Sequence, residues 1–416
     1  MSRCGPSAKL YSLKNFERLE DGVQSMTKVV ILSAVRTPIG KFNGTLKDTP
    51  ATQLGALAVK EAIARARLEP KDMQECLMGN VLQASLGQNP ARQAAVGAGI
   101  PYEAGSFTIN KVCGSGMKAV MLAANSIKAG EHEVVVAGGM ENMDAAPYLL
   151  KDARFGYRLG DNKIVDSMVN DGLWDSFSNQ HMGMTAEIVA ERFHVTREEA
   201  DQLSVDSHLK AAKATVEGRY RNEIVPVVLR SKKGDTIFDK DEGIRADSTL
   251  EVLAKLRPSF KEGGVVTAGN SSQLSDGAAA LVVASEAYAK KMGIEPIAEV
   301  VAYHTGGTRP EWIMEAPIPT TRAVLEKAHL KVDDLALFEH NEAFATASVA
   351  VMKELQVPRE IFNVNGGAVA LGHPIGCSGA RILTTLIHEL RARGGGLGLG
   401  TLCLGGGNAV AMIVRV

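Results

Sequence analysis

EAIARARLEPKDMQECLMGNV, residues 61–81, and AVLEKAHLKVDDLALFEHNEA, residues 323–343, are two versions of one pattern. Each runs from an amphipathic helix through a leucine (Leu68, Leu330) and an aspartate (Asp72, Asp334) into an apolar strand, at an offset near 262 residues. Farther on, CGSGMKAVMLAANSI from Cys113 to Ile127 faces GCSGARILTTLIHEL from Gly376 to Leu390, with Gly116 against Gly379. Both copies then enter an apolar strand that ends in glycines, VVVAGG at 134–139 and TLCLGGG at 401–407. Three matches in the same order at nearly one offset mark an internal duplication.

The period within each copy gives the fold class. Met117, Val120, Met121, Ala124 and Ile127 form one apolar helical stripe, as do Ile382, Leu383, Leu386 and Leu390. Continuous apolar runs at 29–32, 134–136, 281–283 and 335–338 read as strands buried on both faces. Strands alternating with helices predict α/β units with mainly parallel sheets, related by a pseudo-two-fold axis. The stretch 146–273 has no counterpart in the other copy and is polar, charged and broken by glycines. It reads as an inserted loop domain laid over one face to grip a substrate. The expected organisation is a tail or extension over 1–25, a first half over 26–145 with 274–293, the insertion over 146–273, and a second half over 294–416.

Bulk composition narrows the function classes. A net charge of −1 on 416 residues offers no global field for nucleic acid or an anionic membrane, so an anionic ligand needs a local patch. No apolar run approaches the roughly 20 residues that span a bilayer. The cysteines are Cys4, Cys76, Cys113, Cys377 and Cys403, odd in number and without a CxxC pair. That pattern disfavours a disulfide framework or zinc site and suits a reducing, cytoplasmic compartment. The histidines have no metal-ligand spacing, and neither a GxGxxG fingerprint nor a P-loop occurs, so no metal and no cofactor is expected.

The duplication itself points to the chemistry. In each copy a Gly/Ser-rich turn opens a helix, whose unpaired N–H groups favour negative charge. Cys113 stands at the first turn. His373 precedes the second and aligns with Asn110, while Gly376 aligns with Cys113. Symmetric packing would bring thiol and imidazole together, the dipole favouring the thiolate and the imidazole taking its proton. From position alone, Cys113 reads equally well as a small buried residue, and His373 as a structural histidine. Cys403, in the strand-to-glycine turn, is a candidate acid–base or a packing residue, and Gly405 to Gly407 offer backbone N–H groups for an oxyanion. Asn341 and Glu342 follow a strand at its carboxyl end, where α/β sheets bind ligands. Cys76 and Cys377 read as packing.

Taken together, NKVCGSGMKA, GGMENM, HMGMTAE, TAGNSSQLSDGAAA, NEAFA, NVNGGAVALGHPIGCSGAR and CLGGG resemble the thiolases, in that family's order, from about Lys28 to Val416. The resemblance implies a five-layered αβαβα fold and a set of roles. Cys113 would carry the acyl group, His373 would activate it, and Cys403 would move the proton at the α-carbon. Asn341, through a water shared with His373, would form one oxyanion hole; the N–H groups of Cys113 and Gly405 would form the other. Ala268, Gly269, Ser272 and Leu274 resemble the segment lining a pantetheine tunnel, with Leu173, His181, Met182, Phe260 and Phe344 around it and Arg245 near the nucleotide. Coenzyme A thioesters (acetyl-CoA, acetoacetyl-CoA) would be substrates. HMGMTAE favours the short-chain type, with Met182 narrowing the acyl pocket, over a broader 3-ketoacyl-CoA thiolase. A homo-oligomer is implied, a dimer or, preferably, a dimer of dimers. Cys403 speaks against a decarboxylating ketoacyl synthase on the same fold. A non-catalytic coenzyme A-binding subunit is countered by the presence of Cys113, His373 and Cys403.

Overall fold

The computed structural model describes residues 27–232 and 234–416; the tail over 1–25, including Cys4, lies outside the described residues. The first half consists of β1 (Val29–Arg36), α1 (Ala51–Arg65), β2 (Glu75–Gly79), α2 (Pro90–Gly97), β3 (Gly105–Ile109), α3 (Ser115–Lys128) and β4 (Val134–Asn142). The inserted stretch carries α4 (Met182–Arg192) and α5 (Arg197–Val216), and β5 (Ser275–Ser285) closes the half. The second half repeats the series as β6 (Ala298–Gly307), α6 (Pro317–Ala328), β7 (Leu337–His340), α7 (Ala345–Leu355), α8 (Ser378–Ala392), β8 (Leu397–Leu404) and β9 (Asn408–Arg415).

Strand order makes the symmetry explicit. The main sheet runs β7-β8-β9-β6-β1-β5-β4-β2-β3, so each half has the same internal order about the β6–β1 seam. The halves differ at the edge, where β3 is matched by a single parallel bridge between Phe338 and Phe362, and at a short strand, Gly40–Lys41, that pairs with β5 in the first half. The duplicated sequence reproduces its local chemistry as well. Asp72 accepts the Glu69 N–H at 2.8 Å and Asp334 accepts the Lys331 N–H at 2.7 Å, capping equivalent 3-10 turns. Arg67 and His329, at φ 57° and 54°, both end the preceding helix in the left-handed conformation.

The sheet is mixed rather than mainly parallel. β2 pairs in parallel with β3 and β4, and β7 with β8, but β1, β5, β6 and β9 pair antiparallel. The reason is connectivity: β8 returns as β9 through Gly405–Gly407, and a tight turn allows only an antiparallel partner. Apolar runs alone could not reveal this, because both pairings bury both faces.

Three apolar clusters separate five layers. α1 and α2 cover the outer face of the first half, α6 and α7 that of the second, and α3 with α8 lies between the two halves. Every residue of the two predicted helix stripes is buried there. Gly116 and Gly379 stand at the α3–α8 contact: a Cβ on Gly116 would lie 2.8 Å from the Ala380 nitrogen, and one on Gly379 would lie 2.5 Å from that of Met117. The missing side chains let the two helix starts touch, bringing the Cys113 and His373 turns to one end of the central layer. Among the described residues, no helix is long and apolar enough to cross a membrane.

Candidate active site

Cys113 is set by an over-determined turn. Val112, a β-branched residue, adopts φ 47°, a conformation such residues rarely hold unless their surroundings enforce it. Its N–H donates to Asn110 Oδ1 at 3.0 Å, and its carbonyl accepts from Ser115 Oγ at 2.6 Å. Lys111 Nζ donates to Asn408 Oδ1 at 2.9 Å, tying this turn to the glycine turn after β8. A Cβ on Gly405 would approach Val112 Cγ1 to 3.3 Å, so glycine fits where backbone must come close. The backbone N–H groups of Gly405 and of Cys113 itself favour negative charge on the Cys113 sulfur.

His373 is buried and oriented by Ser378 at the first turn of α8. Ser378 Oγ donates to the Pro374 carbonyl at 3.0 Å and lies 2.6 Å from His373 Nδ1. A hydroxyl that gives its one proton to a carbonyl accepts from the ring, which assigns the proton to Nδ1 and leaves Nε2 as the acceptor. Asn341 Nδ2 faces that Nε2 at 3.4 Å. Glu342 turns away instead: its carboxylate accepts from Ser207 Oγ, Asn363 Nδ2 and the Val369 N–H, bracing α5 against the chain before His373. Glu141 of GGMENM is likewise a brace, accepting from the N–H groups of Val81, Leu82 and Gly376 and thereby joining the halves beneath the site.

Cys113, His373, Cys403 and Gly405 line one cavity of ≈ 270 Å³. Leu173, His181, Met182, Phe260, Ser272, Leu274 and Phe344 are in its wall. His181 stacks on Phe260 at 4.8 Å and Phe260 meets Phe344 edge-on at 6.2 Å. The glycine of HMGM is needed because a Cβ on Gly183 would strike Phe260 at 2.3 Å. Four predicted residues do not line the cavity. Asn341 is buried behind His373, Arg245 and Ala268 are exposed, and Gly269 is buried under Leu253 and Leu256. Cavity residues missed from sequence include Met143, Ile313, Met314 and Ile375. Ile313 and Met314 come from an irregular 3-10 turn with no motif to flag it. Ser378 was findable as a hydroxyl at a helix start five residues after the histidine.

Burial opposes the helix dipole at Cys113. Burial pushes the Cys113 thiol well above its ordinary range, the nearby Cys403 adds to this, and the two N–H bonds offset only part. Burial, with the Arg381 charge, lowers His373 to about 3, and burial pushes Cys403 up to about 12. Burial thus favours the neutral form of both thiols and of the imidazole. Cys76 and Cys377 are buried, each pushed up to about 12. Among the described residues, no group of His, Cys, Asp or Glu could hold a metal ion.

A duplicated five-layer fold with two cysteines and a histidine converging where the halves meet defines a class, and the chain belongs to it: this is a member of the thiolase family. The thiolase N-terminal domain profile matches residues 29–287 and the C-terminal domain profile residues 294–416. The chain is 52% identical over 392 residues to the acetyl-CoA acetyltransferase of Syntrophomonas wolfei, covering 93% of this chain and 99% of that protein. It is 51% identical over 391 residues to the Escherichia coli acetyl-CoA acetyltransferase, covering 94% and 99%. The crystal structure of the Bacillus anthracis acetyl-CoA acetyltransferase superposes with a TM-score of 0.92 at 45% identity, covering 94% of this chain and 99% of that one.

Proposed function

We propose that this thiolase catalyses the reversible condensation of two acetyl-CoA molecules to acetoacetyl-CoA and coenzyme A, through an acyl group carried on Cys113. The observation that supports it most is the convergence of Cys113, His373, Cys403 and Gly405 on one small apolar cavity. In the thiolysis direction, Cys113 Sγ attacks the 3-keto carbonyl while its proton passes to His373 Nε2. The oxyanion on that carbon is met by the N–H groups of Cys113 and Gly405, and the enolate oxygen of the departing acetyl-CoA by His373 with a water held at Asn341, whose Oδ1 is buried without a partner among the described residues. The carbon–carbon bond then breaks, its electron pair goes to the α-carbon, and that carbon takes the Cys403 proton. Incoming coenzyme A gives its thiol proton to the Cys403 thiolate as its sulfur attacks acyl-Cys113. The N–H groups of Cys113 and Gly405 stabilise the second oxyanion, and the released Cys113 sulfur recovers its proton from His373.

The wall of Met143, Met182, Met314 and Phe344 around a cavity of ≈ 270 Å³ favours short acyl groups. A dimer of dimers is supported by two exposed features: the unpaired edge of β3, with Phe107 outward, and the apolar side chains Tyr148, Phe155, Leu159 and Ile164 of the inserted stretch. Peptide mass spectrometry after brief incubation with acetyl-CoA tests the central claim. An acetyl adduct on the Cys113 peptide, absent in Cys113→Ala together with acetoacetyl-CoA thiolysis, is the expected result. A folded protein that binds coenzyme A yet shows neither adduct nor thiolysis would be a binding subunit instead.

A further inference from the structure

The N–H groups of Cys113 and Gly405 can meet one oxygen together only if their spacing is held, and they come from turns in opposite halves of the chain. Gly405 opens a run of three glycines, the second and third at φ 79° and 78°. Such a run is conformationally permissive and has no side chains with which to fix itself. Packing between the two turns is apolar: Gly405 lies against Val112, and a Cβ on Gly114 would strike Leu404. Apolar packing presses surfaces together without direction, so by itself it lets them slip.

One bridge between the turns is directional. Lys111 Nζ donates to Asn408 Oδ1 at 2.9 Å, and among the described residues no other side-chain hydrogen bond joins them. Both ends are anchored beside the N–H groups in question. Lys111 opens the Cys113 turn: its carbonyl accepts from the Gly114 N–H at 3.2 Å, and its own N–H donates to Ser115 Oγ at 2.8 Å. Asn408 opens β9, and its Nδ2 donates to the Gly406 carbonyl at 3.4 Å. On the far side, the Gly407 carbonyl accepts from the Thr308 N–H at 2.6 Å. Both bridge residues are half-buried, where a charge-assisted hydrogen bond is stronger than in open water. Neither lines the cavity, so neither meets the acyl group there.

We propose that Lys111 and Asn408 are positioning residues for the oxyanion site, their side-chain bridge fixing the spacing between the Cys113 and Gly405 N–H groups. The inference rests on the proposed acyl transfer through Cys113.

The carbonyl of acetyl-Cys113 is itself the probe, because its stretching frequency falls as hydrogen bonds to its oxygen tighten. The full-length protein is acetylated with acetyl-CoA labelled with carbon-13 at the carbonyl, and isotope-edited infrared difference spectra read the stretch. Stopped-flow release of coenzyme A gives the acylation rate beside it. In Lys111→Met, which keeps the stem and removes the donor, the stretch moves to higher wavenumber and acylation slows about tenfold, a loss in keeping with misplaced donors. Asn408→Ala, which leaves the charge of the site unaltered, shows the same shift and a similar loss. The double variant loses no more than either single one, as two ends of one bridge require. A stretch unmoved in both single variants overturns the proposal, whatever the rates. So does a shift in Lys111→Met alone, which assigns the effect to the lysine charge, and so do additive losses in the double variant. Absence of an acetyl-Cys113 band from the unsubstituted protein would instead overturn the underlying reading of Cys113, and this inference with it.

Discussion

In the proposed mechanism His373 acts as a base, and a residue that no motif advertises sets its tautomer. Ser378 fixes the proton on Nδ1 by giving its own to the Pro374 carbonyl, so Nε2 carries the lone pair, facing Asn341 Nδ2 at 3.4 Å. Ser378→Ala removes that bias, and the two tautomers then compete. Acylation of Cys113 in Ser378→Ala is expected to slow about tenfold, roughly 1.4 kcal/mol, with substrate KM little changed; stopped-flow release of coenzyme A from acetyl-CoA would measure it. An unaltered rate would mean that other contacts hold the ring. Cys113, Cys403 and His373 were legible as candidate residues at suggestive spacings. Their resting protonation was not, because the dipole effect at a helix start is about 0.3–1 kcal/mol and burial of the thiol outweighs it.

At the level of elements, the site exists because α3 and α8 begin at the same point in space. Gly116 and Gly379, aligned already in the duplicated sequence, are the residues that permit this. A methyl group on Gly379 meets backbone nitrogen, which has no rotamer with which to yield. Gly379→Ala is expected to cost about 3 kcal/mol or more in urea unfolding, and to lower activity further than stability alone explains, because it separates the Cys113 and His373 turns. Gly130, at φ 75° with open space around its Cβ position, provides the contrast: there the cost is backbone strain alone, and activity stays intact. Helices and strands were readable from periodicity. Their pairing sense was not, and the predicted parallel sheet proved mixed because a run of apolar residues carries no information about its partner's direction.

Across the whole molecule, buried titratable groups set a stability window. His208, His340 and His373 are lowered by burial to about 4, 3 and 3. The unfolded chain binds their protons below about pH 6.5 while the folded chain does not, so stability falls as pH drops from there toward 3 to 4. Glu339 and Asp276 are raised by burial to about 8. Unfolded, they release protons above about pH 4, so stability also falls as pH rises from there toward 8. Each group shifts stability by at most about 1.4 kcal/mol per pH unit. The melting temperature is therefore expected to peak between about pH 4 and 6.5 and to decline on both sides; a peak above pH 8 would contradict this balance. The inserted stretch is welded to both halves within the same framework. Arg36 of β1 bonds Glu223 at 2.6 Å and Asp241 at 2.7 and 2.9 Å, stacks on Tyr220 at 5.0 Å, and the Tyr220 hydroxyl donates to the Asn365 carbonyl of the second half.

The sequence by itself determined the duplication, the helix stripes, the family resemblance and the candidate reactive side chains, because these are local patterns repeated along one chain. Only the tertiary structure decided how they act. Glu342 and Glu141 became braces, Met314 and Ser378 became neighbours of the Cys403 sulfur and the His373 imidazole, and Arg245, Ala268 and Gly269 fell outside the cavity wall. The physical reason is that burial, tautomer and pairing direction are properties of what lies across a contact. Residues hundreds of positions apart supply that, as Cys113 and His373 do here.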